Sequence, residues 1–314
     1  MVYHGVDMKV RIGYAPTVLP PAESGATALR RLVAVGETYG YDSIWLSDRI
    51  VGGRFPLEPV VALTMVAALS ETMKFGPSVL ALPLRHPVLL AKELATLDVL
   101  SGGRLLPAVG LGSDPREYAA LGVPFEDRGA RADEAIAVMR LLWAEETVTY
   151  TGRFFTLDRV QTVPRPVQRP GPPIWIGGRS KAAQRRVGRV GDGWLVSQAT
   201  PGEVAEGIEV IASTAAAHGR GVDTDHVGVM LGFRFGSTAE DAAAAAGPFL
   251  QNQRTDAACD IYTAFGTPST ISATIRAYVA AGASKFVVRP LAAPYDSLDQ
   301  LERFGREVLP FFHG

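Results

Sequence analysis

The sequence predicts an α/β fold: a single-domain (β/α)8 TIM barrel with insertions, running over residues 1–314. Three observations carry that expectation. Apolar runs of strand length recur eight times, each followed by a longer stretch whose apolar residues fall at helical spacing. Glycine and other small residues collect just after those runs, where a barrel keeps its chemistry. No long polar linker divides the chain, and no internal repeat shows beyond the alternation itself. An open doubly wound sheet is the runner-up, and it would use fewer strands per domain.

The elements follow in order. Residues 10–15 are the first predicted strand, after which Leu29, Leu32 and Val33 recur at helical spacing. Residues 43–47 are the second strand, with a helix over 58–69. Residues 74–80 are the third, and Leu90, Leu94 and Leu97 share one face of the helix behind it. Residues 105–109 are the fourth, and Ile136, Met139 and Trp143 mark the core stripe of the next helix. The rhythm breaks over 145–170. Residues 148–150 and 154–157, turned at Gly152-Arg153, predict a small hairpin, and Pro164, Pro166 and Pro170 lead out of it. Residues 174–176 and 194–197 are strands five and six. Thr200-Pro-Gly-Glu203 reads as a capping box with proline at the first helical position, and Gly219 closes that helix. Residues 227–235 are strand seven, 239–246 an alanine-rich helix and 247–266 an irregular excursion. Thr267-Pro268 opens a helix carrying Ile271, Ile275 and Tyr278 that Gly282 ends. Residues 286–289 are strand eight, and the last helix turns Leu301, Phe304 and Val308 inward.

Composition bounds the function. Hydrophobic residues at 47% and charged residues at 20% are those of a globular protein. Lys+Arg 31 against Asp+Glu 32 leaves a net charge of −1, which argues against a nucleic-acid partner. No uncharged apolar run reaches the ~18 residues of a membrane span, and residues 1–9 lack the apolar core of a signal peptide. The single cysteine, Cys259, excludes an internal disulfide and fits a cytoplasmic protein. Histidines 4, 86, 218, 226 and 313 are scattered without ligand spacing, so no metal site is expected. Walker A, Gly-x-Ser-x-Gly and His-Glu-x-x-His patterns are missing. Gly110-Leu-Gly112 opens like a dinucleotide fingerprint, but Pro115 stands where the third glycine belongs.

The stretch Pro172-Pro-Ile-Trp-Ile-Gly-Gly-Arg-Ser180 carries more. An apolar strand ending at Ile176 breaks into Gly177-Gly178, and an arginine-rich helix starts at Ser180. Glycines let the backbone approach an anion, and the first N–H groups of a helix point at it. Arg179 is the basic residue placed to meet that anion; Lys181, Arg185, Arg186 and Arg189 read as a solvated face. The other predicted strand ends offer Ser47-Asp48-Arg49, the Ser78-Val79 region and Gly110-Leu-Gly-Ser-Asp114. Such a floor of small residues suits a flat ring with its phosphate at Gly177-Gly178. Asp48, Arg49 and Asp114 are the candidate catalytic groups, with an ion pair or a cap as the alternative reading of the first two. His86 reads as a loop residue before a helix.

The order of these segments resembles the bacterial-luciferase-like monooxygenase family. The resembling residues are Ser43-Ile-Trp-Leu-Ser-Asp48, Gly76-Pro-Ser-Val-Leu-Ala-Leu-Pro-Leu-Arg-His-Pro87 and Ala95-Thr-Leu-Asp-Val-Leu-Ser-Gly-Gly-Arg104. Leu121-Gly-Val-Pro-Phe125, Pro173-Ile-Trp-Ile-Gly-Gly178 and Gly191-Asp-Gly-Trp194 complete the set. The resemblance implies a luciferase-like barrel, a homodimer, and FMN or the deazaflavin F420 as cofactor. The Trp-Leu-Ser-Asp and Ile-Gly-Gly wording is most similar to the F420 branch. It further implies a cis peptide at Ser78-Val79 that props the ring. The cofactor positions carried over are Asp48, Ser78, Val79, Gly112, Ile176, Gly177, Gly178, Arg179 and Ser180. In the sugar-phosphate dehydrogenases of that branch a histidine follows the strand-two aspartate and a glutamate closes strand four; here those places hold Arg49 and Ser113. The implied activity is hydride transfer between F420 and a small-molecule substrate. An FMN-dependent monooxygenase with a flavin reductase partner is the alternative, and a non-catalytic flavin or deazaflavin carrier is the second.

Overall fold

The computed structural model describes residues 9–16, 24–52, 57–250 and 253–312. Twelve strands are present among them: β1 Arg11–Tyr14, β2 Ser43–Leu46, β3 Lys74–Pro77, β4 Leu80–Ala81, β5 Ala108–Gly110, β6 Val148–Thr151, β7 Thr156–Val160, β8 Trp175–Gly177, β9 Gly193–Ser197, β10 Val227–Phe235, β11 Ala264–Gly266 and β12 Lys285–Pro290. Ten of them hydrogen-bond into one parallel sheet in the order β3-β2-β1-β12-β10-β9-β8-β5-β4, with β11 attached to β10; β6 and β7 pair separately as the predicted hairpin. β3 and β4 are two halves of one stave, so eight staves remain. Phe75 of β3 bridges Leu105, which precedes β5, and that bridge closes the ring. The doubly wound alternative therefore falls, and the fold is the predicted (β/α)8 barrel.

The helices between the staves are α1 Gly25–Tyr39, α2 Pro59–Leu69, α3 Pro87–Ser101, α4 Pro115–Ala120, α5 Arg128–Ala144, α6 Lys181–Val190, α7 Pro201–Ala217, α8 Ala239–Ala246, α9 Pro268–Ala280 and α10 Pro294–Glu307. Local chemistry sets their ends. Ser24, Ser180 and Thr267 accept from backbone N–H groups as N-caps, and Thr200 with Glu203 forms the predicted capping box. Side-chain alternation then builds two layers. Ile44 and Leu46 of β2, Ile176 of β8, Trp194 and Val196 of β9 and Phe286 and Val288 of β12 point outward into the helix layer. The residues between them, Trp45, Trp175, Leu195 and Val287, fill the barrel with Ala15 and Ala108. Three details differ from the sequence expectation. The third strand is split at Ser78-Val79, the short helix α4 follows strand four, and the 247–266 excursion ends in the extra strand β11, which pairs with the long end of β10.

Candidate functional site

The C-terminal ends of the staves surround a cavity of about 230 Å³ lined by Ser47, Ser78, Ser197, Gln198, Met230, Gly232, Phe249, Leu250, Tyr262, Thr263, Arg289 and Leu291. No described lining residue is a carboxylate. The 247–266 excursion contributes Phe249, Leu250, Tyr262 and Thr263; residues 251–252 of it, and residues 17–23 and 53–56 of the loops after β1 and β2, lie outside the described residues.

One wall rests on the break in the third stave. The Ser78-Val79 peptide is cis. Val79 is wedged between two glycines of neighbouring strands. A Cβ on Gly110 would lie 2.5 Å from Val79 Cγ2, and a Cβ on Gly177 would lie 2.8 Å from Val79 Cγ1. Both glycines are thus required by the close approach of that side chain. Ser78 is buried, and its hydroxyl has no hydrogen-bond partner among the described residues. Asp48 fixes the far side of the break. Its carboxylate, 2% exposed, accepts from Ala81 N–H at 2.9 Å and from Arg85 Nη2 at 2.9 Å. Arg85 also reaches Glu58 at 3.0 Å.

The glycine turn ends β8. Gly178 has a φ of 124°, a conformation only glycine adopts readily, and its carbonyl accepts from Trp194 Nε1 at 2.8 Å. Ser180 caps α6 through Ala183 N–H at 3.2 Å. The next N–H groups of α6 open toward the turn, as a helix start requires. Arg179 lies beside them, 3.6 Å from Glu203 and 3.5 Å from Asp256. Ile176 is buried in the helix layer, so only its backbone faces the turn.

The remaining candidates are placed differently. Arg49 lies 3.6 Å from Glu117 and 3.8 Å from Asp114. Asp114 caps α4 and is gripped by Arg116 Nε and Nη2. The hydrogen bonds from Arg116 pull its carboxyl down to about 2, so it is ionised at neutral pH and holds no proton to give. That geometry is a helix cap. Gly112, at φ 70°, packs toward Ala81 and Tyr118. His86 precedes α3 and meets Phe155 edge-on at 5.5 Å, as a loop residue would.

Two residues escaped the sequence reading. Glu117 is buried and accepts from Ile50 N–H at 2.7 Å and Val51 N–H at 3.3 Å, so it holds the loop after β2. Arg254, in the excursion, is 6% exposed and pairs with Glu203 and Asp256. Neither shows a sequence signal: Glu117 holds backbone 66 and 67 residues away, and of the two partners of Arg254 only Asp256 is near in sequence, Glu203 being 51 residues away. At the opposite end of the barrel Asp223, Asp225 and His226 gather within 4.8 Å, with Arg11 on Asp225 at 2.8 Å. Among the described residues no helix is long and apolar enough to cross a membrane.

Comparison with known proteins matches this arrangement to one family. An uncharacterised protein of Mycobacterium tuberculosis is 31% identical over 55% of this chain, and the match spans 66% of that relative's length, just under two thirds. An F420-dependent glucose-6-phosphate dehydrogenase of Kineococcus radiotolerans is 29% identical over 98% of both chains. An FMNH(2)-dependent dimethylsulfone monooxygenase of Pseudomonas putida is 31% identical over 62% of this chain and 54% of its own. The solved structure of an F420-dependent secondary alcohol dehydrogenase superposes with a TM-score of 0.83 at 20% identity, covering 98% of this chain and 100% of the other, which shows the shared fold. The profile of the luciferase-like monooxygenases matches residues 10–259, and the chain belongs to that family.

Proposed function

We propose that this protein is an F420-dependent oxidoreductase that moves a hydride between the deazaflavin and a small organic substrate. The alignment with the Kineococcus enzyme over 98% of both chains carries the reading. The residues present fit the cofactor. The cleft offers the buried, unpartnered Ser78 hydroxyl, the Val79 wedge as a prop, and a glycine turn opening a capped helix with Arg179 beside it. When bound, F420 supplies a carbon that takes or gives a hydride; the protein supplies position and dryness. In this reading Val79 supports the ring, the 177–180 backbone and Arg179 take the phosphate, and Asp48 acts as a positioning residue through Ala81 and Arg85. Tyr262, whose hydroxyl burial keeps protonated, supplies a donor at the cavity wall. Arg49 and Ser113 leave the sugar-phosphate specificity of the Kineococcus relative without its expected partners.

A fluorescence titration of F420 and FMN at one ionic strength tests the reading. F420 is expected to bind at micromolar or tighter concentration, about −8 kcal/mol, and more tightly than FMN. The Pseudomonas relative favours the FMN reading; tighter FMN binding, or oxygen consumption with a flavin reductase, would establish it. Tight F420 binding with no substrate-dependent spectral change would leave the carrier reading. A homodimer and a cytoplasmic site belong to the same proposal. Helix α2 carries no charged residue, yet Val61 is 73% exposed on it, and Leu89 and Leu100 are exposed on the adjoining α3. A second copy would cover that face, and sedimentation of a Val61→Glu variant as a monomer like the wild type would remove it.

A further inference from the structure

Beside the glycine turn, two arginines share two carboxylates. Arg254 uses its whole donor set there. Nη1 and Nη2 reach the Glu203 oxygens at 2.7 Å each, Nε and Nη2 reach Asp256 at 2.7 and 2.8 Å, and Nη1 also donates to the Gln198 carbonyl at 3.0 Å. Five N–H donors and five bonds leave this guanidinium nothing for a ligand. Arg179 meets the same two carboxylates only at 3.5 and 3.6 Å, beyond a good hydrogen bond. Glu203 is anchored independently, because its Oε2 accepts from Thr200 N–H at 2.8 Å in the capping box of α7. Asp256 is exposed and sits on the excursion that supplies Tyr262 and Thr263 to the cavity.

We infer that Arg254 is a positioning residue: by satisfying Glu203 and Asp256 itself, it keeps Arg179 available to an anion at the 177–180 turn. The charge count explains why. Two guanidinium groups and two carboxylates make a neutral cluster. Without Arg254 the cluster carries a net negative charge, Arg179 is drawn onto the carboxylates, and the turn repels the anion it faces. Arg254 thus supports anion binding without touching the anion. It also ties the excursion to the end of β9 through Gln198, so the wall of the cavity and the phosphate turn are held by one side chain.

The inference rests on the phosphate reading proposed above, and the test separates the two. F420 and 8-hydroxy-5-deazariboflavin, which lacks the phosphate and everything beyond it, are titrated against wild type, Arg254→Met, Arg254→Lys and Arg254→Met/Asp256→Asn. Arg254→Met is expected to weaken F420 about tenfold, ~1.4 kcal/mol, and to move the phosphate-free deazaflavin less than about twofold. Arg254→Lys keeps the charge but not the fork and falls between. Removing Asp256 in the Met background is expected to restore most of the F420 affinity, because it takes away one uncompensated carboxylate. Equal weakening of both ligands would show a merely structural role and overturn the inference. So would an unchanged F420 affinity, or a double variant no better than Arg254→Met. A wild type that binds both ligands equally would refute the phosphate turn itself and this coupling with it.

Discussion

Asp48 offers the sharpest check on how the site is built. Replacing it by alanine removes two partners at once. The Ala81 N–H loses its acceptor at 2.9 Å, and Arg85 loses a carboxylate at 2.9 Å, keeping only Glu58 at 3.0 Å. The side chain is 2% exposed, so water does not replace either bond cheaply. Breaking a buried pair of this kind costs about 3–5 kcal/mol. A chain of 314 residues unfolds with an entropy of about 0.7 kcal/mol/K near its midpoint. Asp48→Ala is therefore expected to lower Tm by about 5–8 °C. Asp48→Asn keeps an acceptor for Ala81 and loses only the charge, so its drop should be about half of that. Scanning calorimetry on both variants, and on Asp48→Ala/Arg85→Ala, measures the pair. The double variant should fall short of the sum of the singles by about 1 kcal/mol or more. A Tm for Asp48→Ala within about 1 °C of wild type would refute the claim that this carboxylate holds the broken third stave.

Two further outcomes follow from the same geometry. Gly110→Ala forces a methyl group against Val79 Cγ2 at 2.5 Å and should cost about 1–3 kcal/mol in urea denaturation; adding Val79→Ala should recover stability, and a double variant worse than the single would rule out the wedge. Hydrogen bonds from Arg254 hold the Glu203 carboxyl down to about 2, below its ordinary value near 4.5, so its contribution to stability is complete above about 4.5 and is lost as pH falls toward 2. Arg254→Met removes that depression, so acid unfolding of the variant should show a shallower loss over this window, and superimposable acid profiles would contradict it.

The barrel was legible because its signals are local. Alternating strands and spaced helical leucines need no partner to be read, and Thr200-Pro-Gly-Glu203 carries its capping chemistry within four residues. The split third strand was legible only through resemblance, since nothing in Gly76-Pro-Ser-Val79 by itself distinguishes a continuous strand from two halves. The glycine turn is legible from its strand-to-helix context. Val79 explains Gly110 and Gly177 together, yet they lie on different strands, and no spacing rule connects them. The cap role of Asp114 is not legible in the sequence, because it depends on the bonds that Arg116 makes to the carboxylate in the folded turn. Arg254 was hidden in a segment without period, where function depends on what the chain meets across space.

The distribution of carboxylates at the mouth bears on the direction of the reaction. Asp48 is committed to Ala81 and Arg85, Glu117 to the backbone after β2, and Glu203 and Asp256 to Arg254. The described cavity wall is instead lined by Ser47, Ser78, Ser197, Tyr262, Thr263 and Arg289, the hydroxyls of Ser78 and Tyr262 being themselves buried. Oxidation of an alcohol needs a base near the departing proton, and the described wall offers no carboxylate for it. Hydride delivery to a carbonyl, imine or activated alkene needs a donor for the negative charge that develops, and serine, threonine and tyrosine side chains line this wall. On the F420 reading proposed above, we infer that the site works in the direction of substrate reduction. Turnover from reduced F420 should exceed the reverse reaction over pH 6–8, and the forward rate should show no rise with pH of the kind a deprotonating carboxylate or histidine gives. Tyr262→Phe should lower the forward rate about 10²-fold if its hydroxyl is the proton source and leave F420 affinity unchanged. A faster oxidation with a rising acid limb would instead require a base among the wall residues and would reverse the assigned direction.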